Sequence, residues 1–176
     1  MTKEEQLNVL KKIISIQTVN QNEAELADYI ASLFQPYVGD NVKVEKVNYA
    51  PGRDNLVVTI GNGGKVLGYS GHMDVVDPGD LDAWDSDPFD PVVKDDKLYG
   101  RGACDMKSGL SALVVALLEM LEKGEKLPGT IKLLATVGEE TGNYGAGELT
   151  KQGFADDLDG LVIAEPRDDL KTITYA

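Results

Sequence analysis

The sequence predicts an α/β fold in which helices cover both faces of a sheet that contains parallel strands. Two observations carry this prediction. Short apolar runs with glycines close by indicate buried strands, whereas longer stretches with apolar residues three and four positions apart indicate amphipathic helices. The two kinds of segment alternate along the chain, which is the order expected when helices connect the strands of one sheet.

Four helices are predicted from the helical spacing of apolar residues. The third is the longest, and it is followed by Gly124 and Pro128, which both disfavour a helix. The predicted helices cover residues 7–14, 26–34, 110–121 and 145–151.

The strands are predicted from alternating or continuous apolar residues. In the first, Val42 and Val44 alternate with charged residues, and Val47 and Tyr49 resume the alternation one residue out of phase. This change of phase indicates a bulge or a strand end. Four buried strands are predicted at residues 56–60, 66–69, 131–137 and 161–164, and residues 172–176 alternate like the start of another.

Residues 77–96 are predicted to form a long surface loop. Three prolines and many aspartates surround Trp84 and Phe89 in this stretch. Loops of this length inside a compact domain are usually functional or mobile.

Composition favours one globular domain that binds neither nucleic acid nor membranes. The chain has 176 residues, of which 42% are hydrophobic, and its net charge of -13 repels phosphate backbones and anionic lipids. No apolar run approaches the length of about 20 residues that crosses a bilayer, and the start does not resemble a secretory signal. These features favour the cytoplasm, and the single cysteine fits a reducing compartment as well as an exported protein without disulfides.

Acidic residues and the only histidine follow the predicted strands directly. They are His72 with Asp74, Glu139 with Glu140, and Glu165, while Asp105 lies at the start of the third helix. Ligands of open α/β sheets bind outside the carboxyl ends of the strands, so we expect these side chains to meet at one edge, with their strands parallel. One imidazole and several carboxylates are typical ligands of a borderline metal such as zinc.

His72 and Asp74 form the first candidate pair. A lone histidine is more often structural than a ligand, but Asp74 follows two residues later in an extended segment and so points to the same side. Its carboxylate can accept a hydrogen bond from one ring nitrogen and leave the other nitrogen for a metal. The alternative for Asp74 is a turn residue before Pro78.

Glu139 and Glu140 stand side by side after a buried strand, where two neighbouring charges need a cation or a proton between them. We expect one to bind a metal and the other to accept a proton from water. Asp105 and Glu165 have ordinary alternatives, as a helix cap and as a strand-end residue. Cys104 has no second cysteine or histidine for thiolate chemistry, so we expect a small packed side chain.

Four motifs in this order resemble those of the M20 metallopeptidase family, in particular the acetylornithine deacetylase and succinyl-diaminopimelate desuccinylase group. They span most of the chain, and together they are far more specific than any one of them. The motifs are GHMDVV at residues 71–76, GRGACDMK at residues 100–107, GEETG at residues 138–142 and AEP at residues 164–166.

The resemblance implies a zinc-peptidase-like fold and hydrolysis of the amide bond of N-acyl amino acids or small peptides. It implies two Zn²⁺ ions, with Co²⁺ or Mn²⁺ as substitutes, and a metal-activated water. The implied metal ligands are His72, Asp105, Glu140 and Glu165. Asp105 is then the bridge between the ions, Glu139 the general base, and Asp74 the residue that orients the imidazole.

The chain departs from the resemblance at its C-terminus. Family members are longer, with a lid or dimerisation domain after the AEP strand and a return segment that carries a last metal-binding histidine. No histidine follows His72 here. We therefore expect residues 1–176 to be the N-terminal part of the catalytic domain, truncated before those segments, with a homodimer formed by the longer parent. The alternatives are a folded but inactive metal-binding fragment and an acidic interaction module.

Overall fold

A five-stranded sheet lies at the centre of the computed structural model, which describes residues 1–166. The strands of the described residues are β1 (Val42–Ala50), β2 (Arg53–Ile60), β3 (Val66–His72), β4 (Val92–Lys94), β5 (Lys97–Tyr99), β6 (Thr130–Thr136) and β7 (Gly160–Ile163). The sheet has the order β1-β2-β6-β3-β7, and β4 pairs only with β5. Strands β6, β3 and β7 are parallel, whereas β2 is antiparallel to both β1 and β6. The strand predicted at residues 172–176 lies outside the described residues.

The helices cover both faces of this sheet. They are α1 (Lys3–Ser15), α2 (Glu23–Phe34), α3 (Lys107–Glu122) and α4 (Tyr144–Lys151). Residues of α1, α2 and α3 share one buried cluster with Leu56 and Val58 of β2, whereas Leu149 of α4 packs with Val57 in a second cluster. Successive side chains of a strand point to opposite faces, so the two clusters lie on opposite sides of the sheet. The predicted α/β architecture is thereby confirmed.

Local sequence determines where the long helices begin and end. At the start of α1, the N–H of Glu5 donates to Thr2 Oγ1 and the N–H of Thr2 donates to the Glu5 carboxylate, which is a capping box. At the end of α3, Gly124 adopts a φ of +63°, as predicted for a glycine that stops a helix.

Within residues 1–166, no helix combines the length and apolar character needed to cross a membrane.

The phase change in β1 has a different cause from the predicted one. Pairing with β2 runs without interruption from Val42 to Asn48, and the register shifts only between Asn48 and Ala50. Val42 packs into the first cluster and Val47 into the second. The apolar pattern therefore changes phase because this strand contributes to both cores, and the expected bulge or strand end between Val44 and Val47 is wrong.

The predicted loop at residues 77–96 is mostly irregular, but it leads into a hairpin that the sequence analysis did not predict. A short 3-10 turn covers Leu81–Ala83, and β4 and β5 then form a two-stranded ribbon. Asp95 and Asp96 connect them with φ values of 52° and 58°, which suits a two-residue hairpin turn. All residues of β4 are exposed, so the strand lacks the alternation by which strands are usually detected.

Lys107 is fully buried at the first position of α3. Its Nζ donates a hydrogen bond to the main-chain oxygen of Ile16 at 2.7 Å. Burial lowers the pKa of Lys107 to about 7, although the carboxylates of Asp74 and Glu23 oppose the decrease. Between pH 7 and the ordinary value of 10.5, the unfolded chain therefore holds a proton that the folded chain has released.

We expect Lys107 to make the free energy of unfolding of the metal-free chain rise with pH between about 7 and 10.5, by at most about 1.4 kcal/mol per pH unit. A higher pH disfavours unfolding because the unfolded state binds the extra proton. Below pH 7 both states are protonated, and this contribution to the slope disappears. Urea unfolding at several pH values with a chelator present measures the effect against Lys107→Met. Equal slopes in the two proteins would contradict it.

Candidate functional site

The candidate site lies where the three parallel strands end. His72 is the last residue of β3, Glu139 and Glu140 follow β6, and Glu165 follows β7. The expectation that the strands leading to these residues are parallel is confirmed. Asp105 arrives from the segment before α3, so four separate parts of the chain meet at one edge of the sheet.

The ring of His72 is buried and held in one orientation. Its Nδ1 lies 2.8 Å from the main-chain oxygen of Asp74. A carbonyl oxygen can only accept a hydrogen bond, so Nδ1 carries the proton and donates it to this oxygen. The other nitrogen, Nε2, then points toward the site.

Nε2 of His72 faces a group of carboxylates. It lies 3.0 Å from Asp105 Oδ1, 3.5 Å from Glu165 Oε1 and 4.0 Å from Glu139 Oε2. Ligand atoms of His72, Asp105 and Glu140 all lie within 4.8 Å of one another, close enough to share a metal ion. The structure thus brings together all the residues that the sequence analysis predicted for the site.

Asp74 lies beside the imidazole as predicted, but its main-chain oxygen is closer to the ring than its carboxylate. The carboxylate Oδ1 is 3.5 Å from His72 Nδ1. Its two oxygens instead accept hydrogen bonds from the main-chain N–H groups of Glu139 and Glu140, at 3.1 and 3.2 Å. A buried carboxylate needs such donors, and these two fix the turn that carries the glutamates.

Asp105 is not a helix cap and Cys104 is not a packed side chain in the structure. Met106 is the N-cap residue of α3 and Asp105 precedes it, so Asp105 does not cap the helix. The peptide bond between Asp105 and Met106 is cis. The side chain of Asp105 is 56% exposed and turns its Oδ1 toward His72. Cys104 is exposed, so the expectation of a packed thiol is wrong, because the segment turns outward before α3 begins.

The turn that carries Glu139 and Glu140 also lies against Arg53 and Tyr144. Gly138 has a φ of +66°, and a Cβ at this position would lie 3.2 Å from Arg53 Nη2 and 3.1 Å from the ring of Tyr144. Arg53 is fixed in turn by a bidentate ion pair with the fully buried Glu23. Glycine is therefore required before Glu139 both by its backbone conformation and by the close approach of these side chains.

Neighbouring carboxylates give the site a strongly negative electrostatic potential. Burial and the neighbouring Asp105 raise the pKa of Glu140, and burial raises that of Glu165, to which Asp105 adds while His72 opposes it. Burial lowers the pKa of His72, but Asp74 and Glu165 raise it more, so that it reaches about 9. An environment that holds a proton on this ring so firmly would also attract a metal cation.

Buried polar residues that were not predicted from the sequence lie beneath the site, and the main ones are Lys107 and Thr18. Thr18 Oγ1 donates to the main-chain oxygen of Met73 at 2.7 Å, and both of these polar side chains are fully buried. A signal for Lys107 was present, because it continues the apolar helical spacing of Leu110 and Val114 toward the N-terminus. No comparable pattern marks Thr18.

Comparison with known proteins gives the chain its family. A family model described as peptidase family M20/M25/M40 matches residues 68–175. A protein of Staphylococcus aureus (strain MRSA252) named probable succinyl-diaminopimelate desuccinylase is 47% identical over 165 residues, which are 94% of this chain and 40% of the relative. The chain spans about 40% of the length of this relative and of two similar proteins of Staphylococcus epidermidis.

Solved structures have the same fold. An M20 family metallo-carboxypeptidase from Sulfolobus solfataricus superimposes with a TM-score of 0.79 at 24% identity, covering 95% of this chain and 38% of the other. A Bacillus subtilis protein described as a dinuclear metal binding peptidase from the M20 family gives a TM-score of 0.66 at 15% identity, covering 94% and 44%. The family match extends over more than half of the sequence and includes the segments that carry the candidate site, and on this ground the chain belongs to peptidase family M20/M25/M40.

Proposed function

We propose that this chain, as the N-terminal part of the catalytic domain, carries metal-binding and catalytic residues of a zinc-dependent hydrolase that cleaves the amide bond of small N-acyl amino acids or peptides. The observation that carries the proposal is Nε2 of His72, which faces Asp105 and Glu165 at the carboxyl edge of the sheet. The staphylococcal relative is named as a desuccinylase of succinyl-diaminopimelate, and its 47% identity favours this substrate for the longer protein.

The residues of the site fit a zinc ion. One imidazole nitrogen with carboxylate oxygens is a ligand set that zinc accepts, and Co²⁺ and Mn²⁺ are expected substitutes. The raised pKa values of Glu140 and Glu165 reflect repulsion among neighbouring acids as well as burial, and a cation between them would relieve that repulsion. The Bacillus subtilis protein with this fold is described as dinuclear, which supports two ions in a longer protein.

His72, Asp105, Glu140 and Glu165 are the proposed metal ligands. When bound, the metal supplies Lewis acidity that lowers the pKa of a water molecule and polarises the amide carbonyl. Asp74 keeps the proton of His72 on Nδ1 and so leaves Nε2 available as a ligand. Asp105 would contribute to holding both ions, since one of its carboxylate oxygens lies within 4.8 Å of ligand atoms of both His72 and Glu140.

Glu139 is the proposed general base. Asp74 fixes its main chain, while its side chain is 37% exposed and places Oε2 4.0 Å from His72 Nε2. Substrate and water can therefore reach this carboxylate beside the proposed ligands. Glu139 takes a proton from the attacking water and delivers it to the amide nitrogen as the C–N bond breaks, which yields a carboxylate and a free amine.

A chimera tests this assignment. This chain replaces the matching segment of the staphylococcal relative, and release of succinate from N-succinyl-diaminopimelate is measured. We expect an active chimera in which Glu139→Gln lowers kcat by about 10²- to 10⁴-fold and leaves the metal content unchanged, because only the proton acceptor is removed.

Glu140→Gln is the matched variant in the same chimera. It makes the same chemical change one residue away, and we expect it to weaken metal binding because Glu140 is a proposed ligand. Near-normal turnover of Glu139→Gln would remove Glu139 from the mechanism. A chimera that binds metal but hydrolyses no N-acyl amino acid or dipeptide would contradict the proposed reaction.

The chain alone is expected to bind close to one Zn²⁺. Its single histidine can complete one site with carboxylates, whereas a second ion would have carboxylates alone, which suit zinc poorly. Metal analysis after dialysis against Zn²⁺ measures the stoichiometry, and His72→Ala is expected to lose the bound ion. Two tightly held ions per chain, or retention of zinc by His72→Ala, would contradict this assignment.

A further inference from the structure

We propose that Lys107 is a positioning residue of the metal centre, which connects the segment carrying Asp105 to residues 16–19 and, through them, to the segment that follows His72. The inference rests on the proposed metal site. Lys107 is not one of the proposed metal ligands. It is also too deeply buried to contact a substrate.

Lys107 makes a buried hydrogen bond to a distant part of the chain. Its side chain is fully buried, and Nζ donates to the main-chain oxygen of Ile16 at 2.7 Å across 91 positions of sequence. Its alkyl chain covers Gly102, where a Cβ would lie 3.0 Å from Lys107 Cδ, and its main-chain N–H donates to the oxygen of Gly102. Lys107 therefore fixes both ends of the segment that contains Asp105.

Residues 16–19 are in turn connected to the residues that follow β3. Thr18 Oγ1 donates to the oxygen of Met73 at 2.7 Å, and the N–H of Val75 donates to the oxygen of Thr18 at 3.0 Å. Val19 and Val75 also form a parallel bridge. The residues directly after His72 are thus held by the same stretch of chain that holds Lys107.

Met106 supplies a parallel contact. Its Sδ accepts a hydrogen bond from the main-chain N–H of His72 at 3.1 Å, and its methyl group lies against Gly71, where any side chain would collide with it. The two residues that follow Asp105 are consequently both buried and both connected to the chain around His72. The direct contact between Asp105 and His72 lies at the exposed side of this arrangement.

Two simpler roles for Lys107 make different predictions. If its charge only balances Asp74 and Glu23, removing that charge makes the site more negative and raises or preserves its Zn²⁺ affinity. If Lys107 only stabilises the fold, stability falls and the affinity of the folded protein is unchanged. A positioning role alone predicts a lower affinity, because Asp105 loses its place relative to His72.

The experiment measures the Zn²⁺ affinity of the 176-residue chain by competition with a chelating dye, and its fold by circular dichroism. Lys107→Met keeps the length of the side chain and removes its donor. We expect about 10- to 100-fold weaker Zn²⁺ binding, as is usual when a residue that orients a metal ligand is changed. An affinity equal to or above that of the unchanged chain would overturn the inference.

Lys132→Met is the matched control. Lys132 also donates from Nζ to a main-chain oxygen, that of Phe154 at 3.2 Å, and its side chain is 12% exposed. It lies near the start of β6, at the opposite end of the strand from the site. We expect this variant to lose stability and to keep its Zn²⁺ affinity, and an equal loss of affinity in both variants would overturn the inference.

Thr18→Val removes the hydrogen bond from residues 16–19 to Met73 and so tests the same connection. This variant also provides the test if Lys107→Met does not fold. We expect it to weaken Zn²⁺ binding too, and the double variant to lose less than the product of the two single losses. Unchanged affinity in Thr18→Val would overturn the inference while leaving the metal site in place. Absence of Zn²⁺ binding by the unchanged chain would instead overturn the metal site, and the inference with it.

Discussion

Asp74 connects the two strand ends on which the site depends. Its main-chain oxygen accepts the proton of His72 Nδ1, while its carboxylate accepts the N–H groups of Glu139 and Glu140. Because β3 and β6 pair directly, the ends that carry these residues are adjacent before any side chain contributes. Asp74 then fixes the imidazole and the glutamate turn relative to each other, and the surrounding structure makes the burial of its charge possible.

That burial is balanced by charges from distant parts of the chain. Asp74 and Glu23 are fully buried carboxylates that raise the pKa of Arg53 and oppose the burial that lowers the pKa of Lys107. Burying a charge without a partner is costly, so the four groups stabilise one another in the layer beneath the site. Among the described residues, the carboxylates above this layer share the single imidazole of His72, so repulsion among them concentrates where a cation is proposed to bind.

The sequence was sufficient to predict the architecture and the meeting of the candidate residues at one edge of the sheet, but not the contacts that hold those residues in place. Apolar periodicity and the position of His72 after a strand are local properties, and they correctly predicted the sheet and the edge at which the candidate residues meet. The ion pair of Arg53 with Glu23 and the contact of Lys107 with Ile16 depend on tertiary packing, which no local pattern encodes. The β4–β5 ribbon was missed because short exposed strands carry no alternation.

The separation of His72 and Asp105 explains why buried contacts are needed. The residues are 33 positions apart, and closing a loop of that length costs on the order of 3 kcal/mol. A partly exposed contact between their side chains contributes about 0–1 kcal/mol, too little to hold the loop. The buried contacts of Met106 with His72 and of Lys107 with Ile16 also help to close this loop. The carboxylates, which repel one another, therefore do not have to hold the site together, and their geometry is determined by the backbone before any cation binds.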